Sequence, residues 1–459
     1  MLAVEAPGDP VPEAVVSRER VSVAEPAVLE PTRVQELRQI AAAAYAEGPW
    51  PSSARDEDWR RTPQVDRLDP ARFQLAPAAG PLASVGRALP AWLRAAARAL
   101  PEAGLETLSL IDDAAGSHPG APAAPGASGS GLEVWPLEVA LQERPGLVTA
   151  HLATVLAPGQ RPFVALNTAR FLGGSVVHVT RGTEATQVVH LLHGVGTGQA
   201  AFPRTLVVLE EGAACTIVEE WLGPAGADPA LLVPVTEVVV GANARCRHVI
   251  VERTGAGAVL QASVRARVAR DGRYEASWLL LGGAWQKTYL EVDLAGSGSS
   301  AQLSGLTYGG GDRHVDLQTL QAHLEPAATS DLLYRVAMRD RARSVYGGLI
   351  RVAPAAQKTS AYVQNRNLLL SPQAKADSNP TLEIEANDVR CTHGATAGPV
   401  DPEQLFYCEI RGIEREAARQ LIVEGFFADV LDRLPAPPLR ALGSQWLQAA
   451  FAGTGGQPA

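Results

Sequence analysis

The stretch at residues 204–222, RTLVVLEEGAACTIVEEWL, decides the fold because it holds two short runs of β-forming residues separated by a turn signal. Val, Leu and Thr are frequent in both runs, as they are in β-strands. Similar runs follow at 236–252, 257–282 and 288–310, and turn signals recur at 210, 241, 270 and 296, about every 25–31 residues. Little of this region resembles an amphipathic helix, so the helical crossovers of βαβ units are not expected.

Evenly spaced short strands are typical of a β-solenoid or of a β-sandwich. The runs continue for over 200 residues, which is more than a single sandwich usually needs. We therefore favour the solenoid, and we expect a mainly β protein.

Helical patterns are predicted on both sides of the β region. PTRVQELRQIAAAAYAEGP (31–49) and PAWLRAAARALPEAG (90–104) precede it. DPEQLFYCEIRG (401–412) follows it, with Asp401 at the N-cap position and Gly412 as the stop. The predicted organisation is a flexible arm at 1–30, an N-terminal helical region at 31–135 with a low-complexity loop at 112–131, a β core at 136–398 and a C-terminal helical domain at 399–459.

The composition and charge of the chain restrict the kinds of partner that we expect it to bind. The formal charge of −9 argues against a dedicated nucleic-acid or membrane-surface binder, and no run of about 18 apolar residues predicts a transmembrane helix. The start, MLAVEAPGDP, has no secretory pattern. The four cysteines, at 215, 246, 391 and 408, are far apart, so we expect reduced thiols and a cytoplasmic location.

Nucleotide hydrolysis is not expected. The chain has no GxxxxGK[ST] motif and no Gly-Lys pair. HGVGTGQAAF (193–202) clusters glycines, but a strand-like run follows it instead of a helix that could hold a pyrophosphate.

Several histidines are candidate metal ligands. His190 and His193 are three apart, and no matching pair lies at zinc-site spacing, so we expect core or solvated side chains. Cys246 and His248 alternate along one predicted strand and face the same side. We expect both to be ordinary residues of a solenoid turn.

Two further polar groups suggest other chemistry. His314, Asp316 and His323 form a mixed set that we interpret as structural or interfacial. A solenoid carbohydrate-active enzyme would need paired acids along a groove. Glu383 and Glu385 are candidates, although their alternation also fits a solvated strand face.

VRCTHGATAG (389–398) holds Cys391 and His393 two residues apart. In a strand both side chains lie on one face, about 6.5–7 Å apart along the strand. That spacing is too long for a thiol–imidazole hydrogen bond unless the chain bends at Gly394, so a private nucleophile–base pair is disfavoured. Part of a metal site and plain packing both stay open.

The run from residue 347 to 398, with 401–413 after it, resembles the SufB/SufD family of iron–sulfur cluster assembly scaffolds. The matching pieces are AQKT (356–359), NRNLLLS (365–371), P-x-LEI (380–384), C-x-HGAT (391–396) and LFY…RGI (405–413). The form His-Gly-Ala-Thr is most like SufD, because SufB proteins tend to carry His-Glu-Ala-Thr there. The segment DEDWRRTP (56–63) is similar to the Trp-containing segment ahead of the core in this family.

The resemblance implies a right-handed parallel β-helix core between helical ends. It also implies a non-catalytic scaffold subunit of a SufBCD complex. The chain would pair with a SufB-like subunit through the β-helix, with a homodimer as the alternative when it is alone. A SufC-like ATPase, which would hydrolyse the ATP, would bind the C-terminal helical domain.

For the site, the resemblance implies that His393 contacts a transient iron or iron–sulfur cluster shared with the SufB-like subunit, with Cys391 as a helper. No cofactor is expected on the isolated chain. The sequence departs from the family at Cys408, where Leu is more frequent, and at Arg335, where Lys is common. Cys408 falls in a predicted helix, and we expect a buried small apolar side chain there. A carbohydrate-active solenoid and a purely structural interaction protein are the rival hypotheses.

Overall fold

The computed structural model describes residues 30–75, 89–113, 116–119 and 131–453. The helices of these ranges are α1 Thr32–Glu47, α2 Ala91–Glu102, α3 Leu137–Glu143, α4 Pro145–His151, α5 Pro162–Arg170, α6 Pro402–Ile410, α7 Arg415–Leu431 and α8 Pro437–Phe451. The N-terminal strands are β1 Gln74–Leu75, β2 Thr107–Asp113, β3 Gly116–Pro119 and β4 Leu132–Pro136.

The central strands are β5 Gly174–Val179, β6 Glu184–Gly194, β7 Gln199–Ala201, β8 Arg204–Leu209, β9 Ala214–Leu222, β10 Ala230–Leu232, β11 Val235–Val240, β12 Arg245–Arg253, β13 Ala258–Val268, β14 Arg273–Leu280, β15 Trp285–Leu294, β16 Ser300–Gly309, β17 His314–His323, β18 Thr329–Met338, β19 Arg343–Val352, β20 Thr359–Leu369, β21 Lys375–Ile384 and β22 Val389–Pro399.

The strands wind between two sheets and alternate strictly from β11 to β22, so the chain forms a parallel β-solenoid of about eight turns. One sheet runs β21-β19-β17-β15-β13-β11-β8-β5-β4, and the other runs β22-β20-β18-β16-β14-β12-β9-β6-β2-β3. The opening stretch supplies β8 and β9, one strand to each sheet. The prediction of a mainly β, parallel β-helix core flanked by helices is confirmed.

The predicted turn signals coincide with real corners of the solenoid. Asn243 and Asp271 adopt φ values of 56° and 54°, a left-handed conformation that Asn and Asp tolerate better than most residues. Their short polar side chains explain why the turns could be found from sequence.

The edges of the core differ from the predicted boundaries. The strands of the winding begin at Gly174 rather than at 136, because α3, α4 and α5 occupy the preceding stretch. β2, from the region predicted as helical, pairs in parallel with β6. Residues 1–29 and 120–130, within the predicted arm and loop, lie outside the described residues. Asp112, predicted as part of that loop, lies near the end of β2 and is buried.

The N-terminal region is anchored by two buried contacts. Glu30, assigned to the arm, is buried and forms an ion pair with Arg38 of α1 at 2.6 Å. Trp59 is buried beside Phe163 of α5. Lys287 of β15 lies 4.6 Å from the Trp59 ring centroid, a cation–π contact that joins the segment to the solenoid wall.

Helices cover the outer faces of the solenoid. Phe427 of α7 and Leu439 and Trp446 of α8 pack in one cluster with Val249 and Leu279, which project outward from the second sheet. Both faces of these strands are therefore buried, which explains their continuous apolar runs.

The solenoid interior also holds a buried polar network centred on Glu219. Its carboxylate accepts hydrogen bonds from Thr236 at 2.8 Å and Trp221 at 3.3 Å. It lies 3.0 Å from His248 Nε2 and 3.3 Å from His193 Nε2. A buried charge is tolerated only when it is paired and hydrogen-bonded, and this carboxylate meets that condition.

Three buried histidines titrate in opposite directions. Burial alone would lower the pKa of His193, but hydrogen bonds to Asp112 and Glu219 outweigh it and raise the pKa to about 9. Burial lowers the pKa of His314 and of His323 to about 4. Compared with an unfolded histidine near pH 6.5, His193 binds its proton more tightly in the folded chain, whereas the other two bind it less tightly.

We expect the apparent melting temperature to peak near pH 6.5, the ordinary pKa of histidine. The His193 contribution is complete below that pH and is lost as the pH rises through about 9. The His314 and His323 contributions are lost as the pH falls from about 6.5 toward 4. Thermal scans from pH 4 to 10 measure this. His193→Gln should flatten the alkaline limb, and an unchanged limb in that variant would contradict the assignment.

Candidate functional site

The last turn of the solenoid is an open end. Strands β21 and β22 are the terminal strands of their two sheets. Within the described residues each pairs on one side only, β21 with β19 and β22 with β20. A terminal strand presents unpaired backbone N–H and C=O groups and is a template for pairing with another chain.

Cys391 and His393 lie on β22 and face the mouth of the solenoid. In register they stand beside Ala361 and Val363 of β20, both of which are buried in the interior. Paired residues of parallel strands project to the same face, so Cys391 and His393 also point inward. Cys391 is half-buried against the core, whereas His393 is exposed because no further turn of the described chain covers it.

The two residues do not form a catalytic pair. They lie in one continuous strand that includes Gly394, so the chain does not bend there. No hydrogen bond joins the two side chains, both of which lie in the described part of the chain. Burial raises the pKa of the Cys391 thiol, and a hydrogen bond with the Ala361 backbone opposes that rise. The thiol is therefore not activated as a nucleophile.

Asparagines of the NRN motif support this strand from within. Asn367 of β20, which is buried, donates to the Thr396 carbonyl oxygen of β22 at 2.9 Å. The same amide donates to Asn365 Oδ1 at 2.7 Å. The first bond holds the terminal strand in place in addition to the backbone ladder, and the second fixes the Asn367 amide within β20.

Two glycines leave open positions on the outer surface of β22. A Cβ atom built on Gly394 or Gly398 would meet no atom within 4 Å, and neither residue has a positive φ. Neither conformation nor packing within the described chain requires glycine there, although glycine weakens a strand. Glycine in a strand often marks the close approach of another backbone or a ligand.

A second candidate surface follows directly on the chain. Asp401 caps α6 by accepting a hydrogen bond from the Glu403 amide at 2.9 Å, as predicted, and Gly412 adopts φ of 83° after the helix ends. α6 and α7 pack together and expose large apolar side chains, with exposed fractions of 63% for Phe406, 56% for Tyr407, 61% for Ile410 and 51% for Leu421. We call these four residues the docking face.

Cys408 lies on the other side of α6. It is half-buried and packs beside Leu405, Ile413 and Ala418. The predicted role as a small apolar side chain agrees with this packing, although burial is only partial.

The remaining candidates are structural. His190, His193, Cys246 and His248 are buried, and His190 Nε2 lies 2.7 Å from a Glu220 carboxylate oxygen. The expectation of core residues is confirmed. In the part of the chain that the structure describes, no group of three or more His, Cys, Asp or Glu residues is arranged to hold a metal ion.

His314, Asp316 and His323 do not form one site. His314 and Asp316 project outward and contact Thr62 of the N-terminal segment, at 3.2 Å for the His314 ring. His323 alternates to the inner face and lies 2.8 Å from Ser330 Oγ. The predicted interfacial role holds for the first two residues, and the third belongs to the core.

Glu383 and Glu385, the candidates for carbohydrate chemistry, lie on the exposed surface of the last turn. Glu383 accepts a hydrogen bond from Arg351 at 2.8 Å, and both side chains are 51% exposed. Glu385 lies beyond the end of β21 and is exposed. Among the described helices, none is both long and apolar enough to span a membrane.

The fold and the site define a class of protein: a β-solenoid that presents its candidate ligands on an open edge, next to an apolar helical surface. The model of the SUF system FeS cluster assembly SufBD core domain matches residues 191–426, which is just over half of the chain. The chain belongs to the SufBD family, and within it the chain is most like SufD.

Named relatives agree with this assignment. The chain is 28% identical to the iron–sulfur cluster assembly protein SufD of Bacillus subtilis (strain 168), over 60% of this chain and 64% of that protein. It is 31% identical to the SufD of Escherichia coli (strain K12), over 59% and 66%. An iron–sulfur cluster assembly SufBD family protein of Mycobacterium tuberculosis (strain ATCC 25618 / H37Rv) is 30% identical over 66% and 79%. The alignments therefore cover about 64% of the length of the first relatives.

The resemblance predicts an ATPase contact on the C-terminal helical domain, but neither the residues of the docking face nor the supporting asparagines were identified from the sequence. The exposed Phe-Tyr pair at 406–407 was a usable signal, since two large apolar side chains in a helix that starts with a polar turn need a cover. The asparagine contacts had no signal in the local pattern, because their meaning depends on the strand that is stacked next.

Proposed function

We propose that the chain is a scaffold subunit for iron–sulfur cluster assembly, which pairs with a SufB-like subunit and a SufC-like ATPase. One observation carries the proposal: Cys391 and His393 face the mouth of the solenoid on a terminal strand that, in the part of the chain that the structure describes, lacks a neighbour on one side. A site on such an edge is completed only when another chain covers it.

The cluster is cargo in this proposal, and the chain holds no resident cofactor. A thiolate is a soft ligand and an imidazole nitrogen a borderline one, and both suit iron in such clusters. The exposed His393 ring is free to meet the cargo. The thiol of Cys391, with its raised pKa, is in a supporting role. The chain supplies position and ligands, whereas ATP hydrolysis belongs to the partner.

The terminal strands support pairing with the SufB-like subunit. β21 and β22 have 10 and 11 residues, which is long for edges left uncovered. Gly394 and Gly398 leave the outer face of β22 open at two positions to an approaching chain. A SufB-like subunit with the same fold would present two terminal strands of its own to pair with β21 and β22.

The docking face supports binding of the ATPase. It is apolar, it lies on two helices immediately after the site strand, and it has no cover within the described chain. Exposed apolar patches of this kind mark protein–protein contacts.

Ile410→Asp is expected to reduce recovery of the ATPase with the tagged complex by more than about tenfold, since a charge in the buried centre of an interface costs several kcal/mol. Co-expression of the three chains followed by affinity purification measures this. The SufB-like subunit should still be recovered, because the docking face is distinct from the terminal strands.

Ile40→Asp is the matched control. Ile40 of α1 is 58% exposed, close to the 61% of Ile410, but it lies outside the docking face. Recovery of the ATPase should be unchanged in this variant. Equal losses from both variants would show a general effect on solubility, and failure of the wild-type chain to recover either partner would overturn the proposed function.

A further inference from the structure

Arg335 is a buried cation between strand β18 and helix α7. Its side chain is only 4% exposed. One guanidinium nitrogen donates to Asp429 Oδ2 of α7 at 3.0 Å, and the other donates to Gln364 Oε1 of β20 at 2.9 Å. The guanidinium carbon lies 5.6 Å from the ring centroid of Phe426, also on α7. Arg335 therefore contacts a helix and the neighbouring strand at the same time.

The contact continues toward the site. Gln364 donates to the Tyr362 hydroxyl at 3.0 Å on the outer face of β20. In register, Gln364 stands beside Gly394 and Tyr362 beside Thr392, the two residues that flank His393. Arg335, Gln364 and Tyr362, which we call the clamp, thus connect α7 with the strand that holds β22.

A second ion pair joins the same helix region to β18, but within the described residues no further hydrogen bond extends it to β20. Asp331 of β18 accepts a hydrogen bond from Arg433, just after α7, at 2.7 Å. Asp331 has no side-chain hydrogen bond to β20 in the described chain. The two pairs have opposite polarity and lie on one strand, so the Asp331–Arg433 pair is a built-in control for the clamp.

We propose that Arg335 is a positioning residue that fixes β20, and through it the strand of His393, relative to α7. The proposal rests on the proposed function, since it assigns this geometry to the cluster site. The helix that carries part of the docking face and the strand that carries the site would then keep a defined relative position.

The planar fork of arginine is essential to this role. Its separate nitrogens donate in two fixed directions, toward a helix carboxylate and a strand amide. A lysine ammonium is a point charge on a flexible stem and does not reproduce the fork. Arg335→Lys should keep the ion pair with Asp429 and lose the defined bond to Gln364.

Hydrogen exchange on the full-length chain tests the clamp. In Arg335→Met, the β22 amides that are bonded to β20 should exchange roughly tenfold faster than in the wild type, because the local opening free energy falls. In Asp331→Asn the end of α7 should exchange faster, while β22 stays within about twofold of the wild type. Equal acceleration of β22 in both variants, or acceleration confined to α7 in Arg335→Met, would overturn the proposal.

A double-mutant cycle separates positioning from general loosening. Gln364→Leu should accelerate β22 as Arg335→Met does, and the double variant should add little, since both remove one interaction. Additive acceleration would contradict the clamp. If Arg335→Met fails to fold, Arg335→Lys is used instead. It retains the charge but loses the bond to Gln364, so it tests the same interaction.

Cluster yield is measured in a separate experiment from hydrogen exchange. On the assembled complex, Arg335→Met should lower cluster yield severalfold with unchanged recovery of partners, and Asp331→Asn should not. If His393→Ala also leaves the yield unchanged, the proposed function fails. If His393→Ala lowers the yield and Arg335→Met does not, the positioning role alone is overturned.

Discussion

Replacing His393 with alanine is expected to lower cluster formation on the assembled complex by more than about tenfold, or roughly 1.4 kcal/mol. The ring is exposed at the mouth, and no side-chain hydrogen bond holds it within the described chain. Its removal therefore costs little folding stability, and the loss should fall on ligand binding. Anaerobic reconstitution of the co-expressed complex, followed by absorbance and iron and sulfide content, measures this.

His151→Ala is the matched control. His151 ends α4, far along the chain from the last turn, and is partly exposed. Cluster yield should be unchanged in that variant. Cys391→Ser should cause a smaller loss than His393→Ala, because the thiol is partly packed into the core and its pKa is raised. Equal losses from the two site variants would refute this ordering, and full yield from His393→Ala would favour a purely structural role.

Glu219→Ala is expected to destabilise the solenoid by about 3–5 kcal/mol, the usual cost of removing one partner of a buried ion pair. The carboxylate is fully buried, and its bonds to His193 and His248 lower its pKa well below the ordinary range, against the opposing effect of burial. Without it, the protonated His193 keeps only Asp112 as a charged partner. Chemical denaturation followed by circular dichroism measures the change.

Glu383→Ala is the control for that experiment. Its ion pair with Arg351 is half exposed on both sides, and exposed pairs contribute about 0–1 kcal/mol. A loss of stability from Glu219→Ala no larger than from Glu383→Ala would show that the interior network does not stabilise the fold. Glu219→Gln, which keeps the shape without the charge, should lie between the two.

The winding of the chain could be predicted because each turn repeats the same local pattern. Short alternating runs and polar corners such as Asn243 and Asp271 are local features, and they identify strands and turns directly. The same alternation placed Cys391 and His393 on one face of a strand. It could not say that this face opens at the end of the solenoid, since that depends on the absence of a following turn.

The buried charges could not be predicted from the pattern. Glu219 and Glu220 are adjacent acids, which usually indicate a solvent-exposed turn or strand face. Glu219 lies inside the solenoid, and Glu220 on the other face is also buried. Which charges find partners is decided by residues far away, such as Asp429, 94 positions from Arg335. The local sequence around a charged residue does not show which distant residue will be its partner.

The two terminal strands also affect how much of this chain would stay soluble in a cell when it is in excess of its partners. Surplus copies would present edges of 10 and 11 residues to one another, and such edges join readily into larger aggregates. Balanced synthesis of the subunits would then protect solubility as well as assembly. The amount of the covering chain, more than the intrinsic stability of the solenoid, would set how much of this subunit can be kept in usable form.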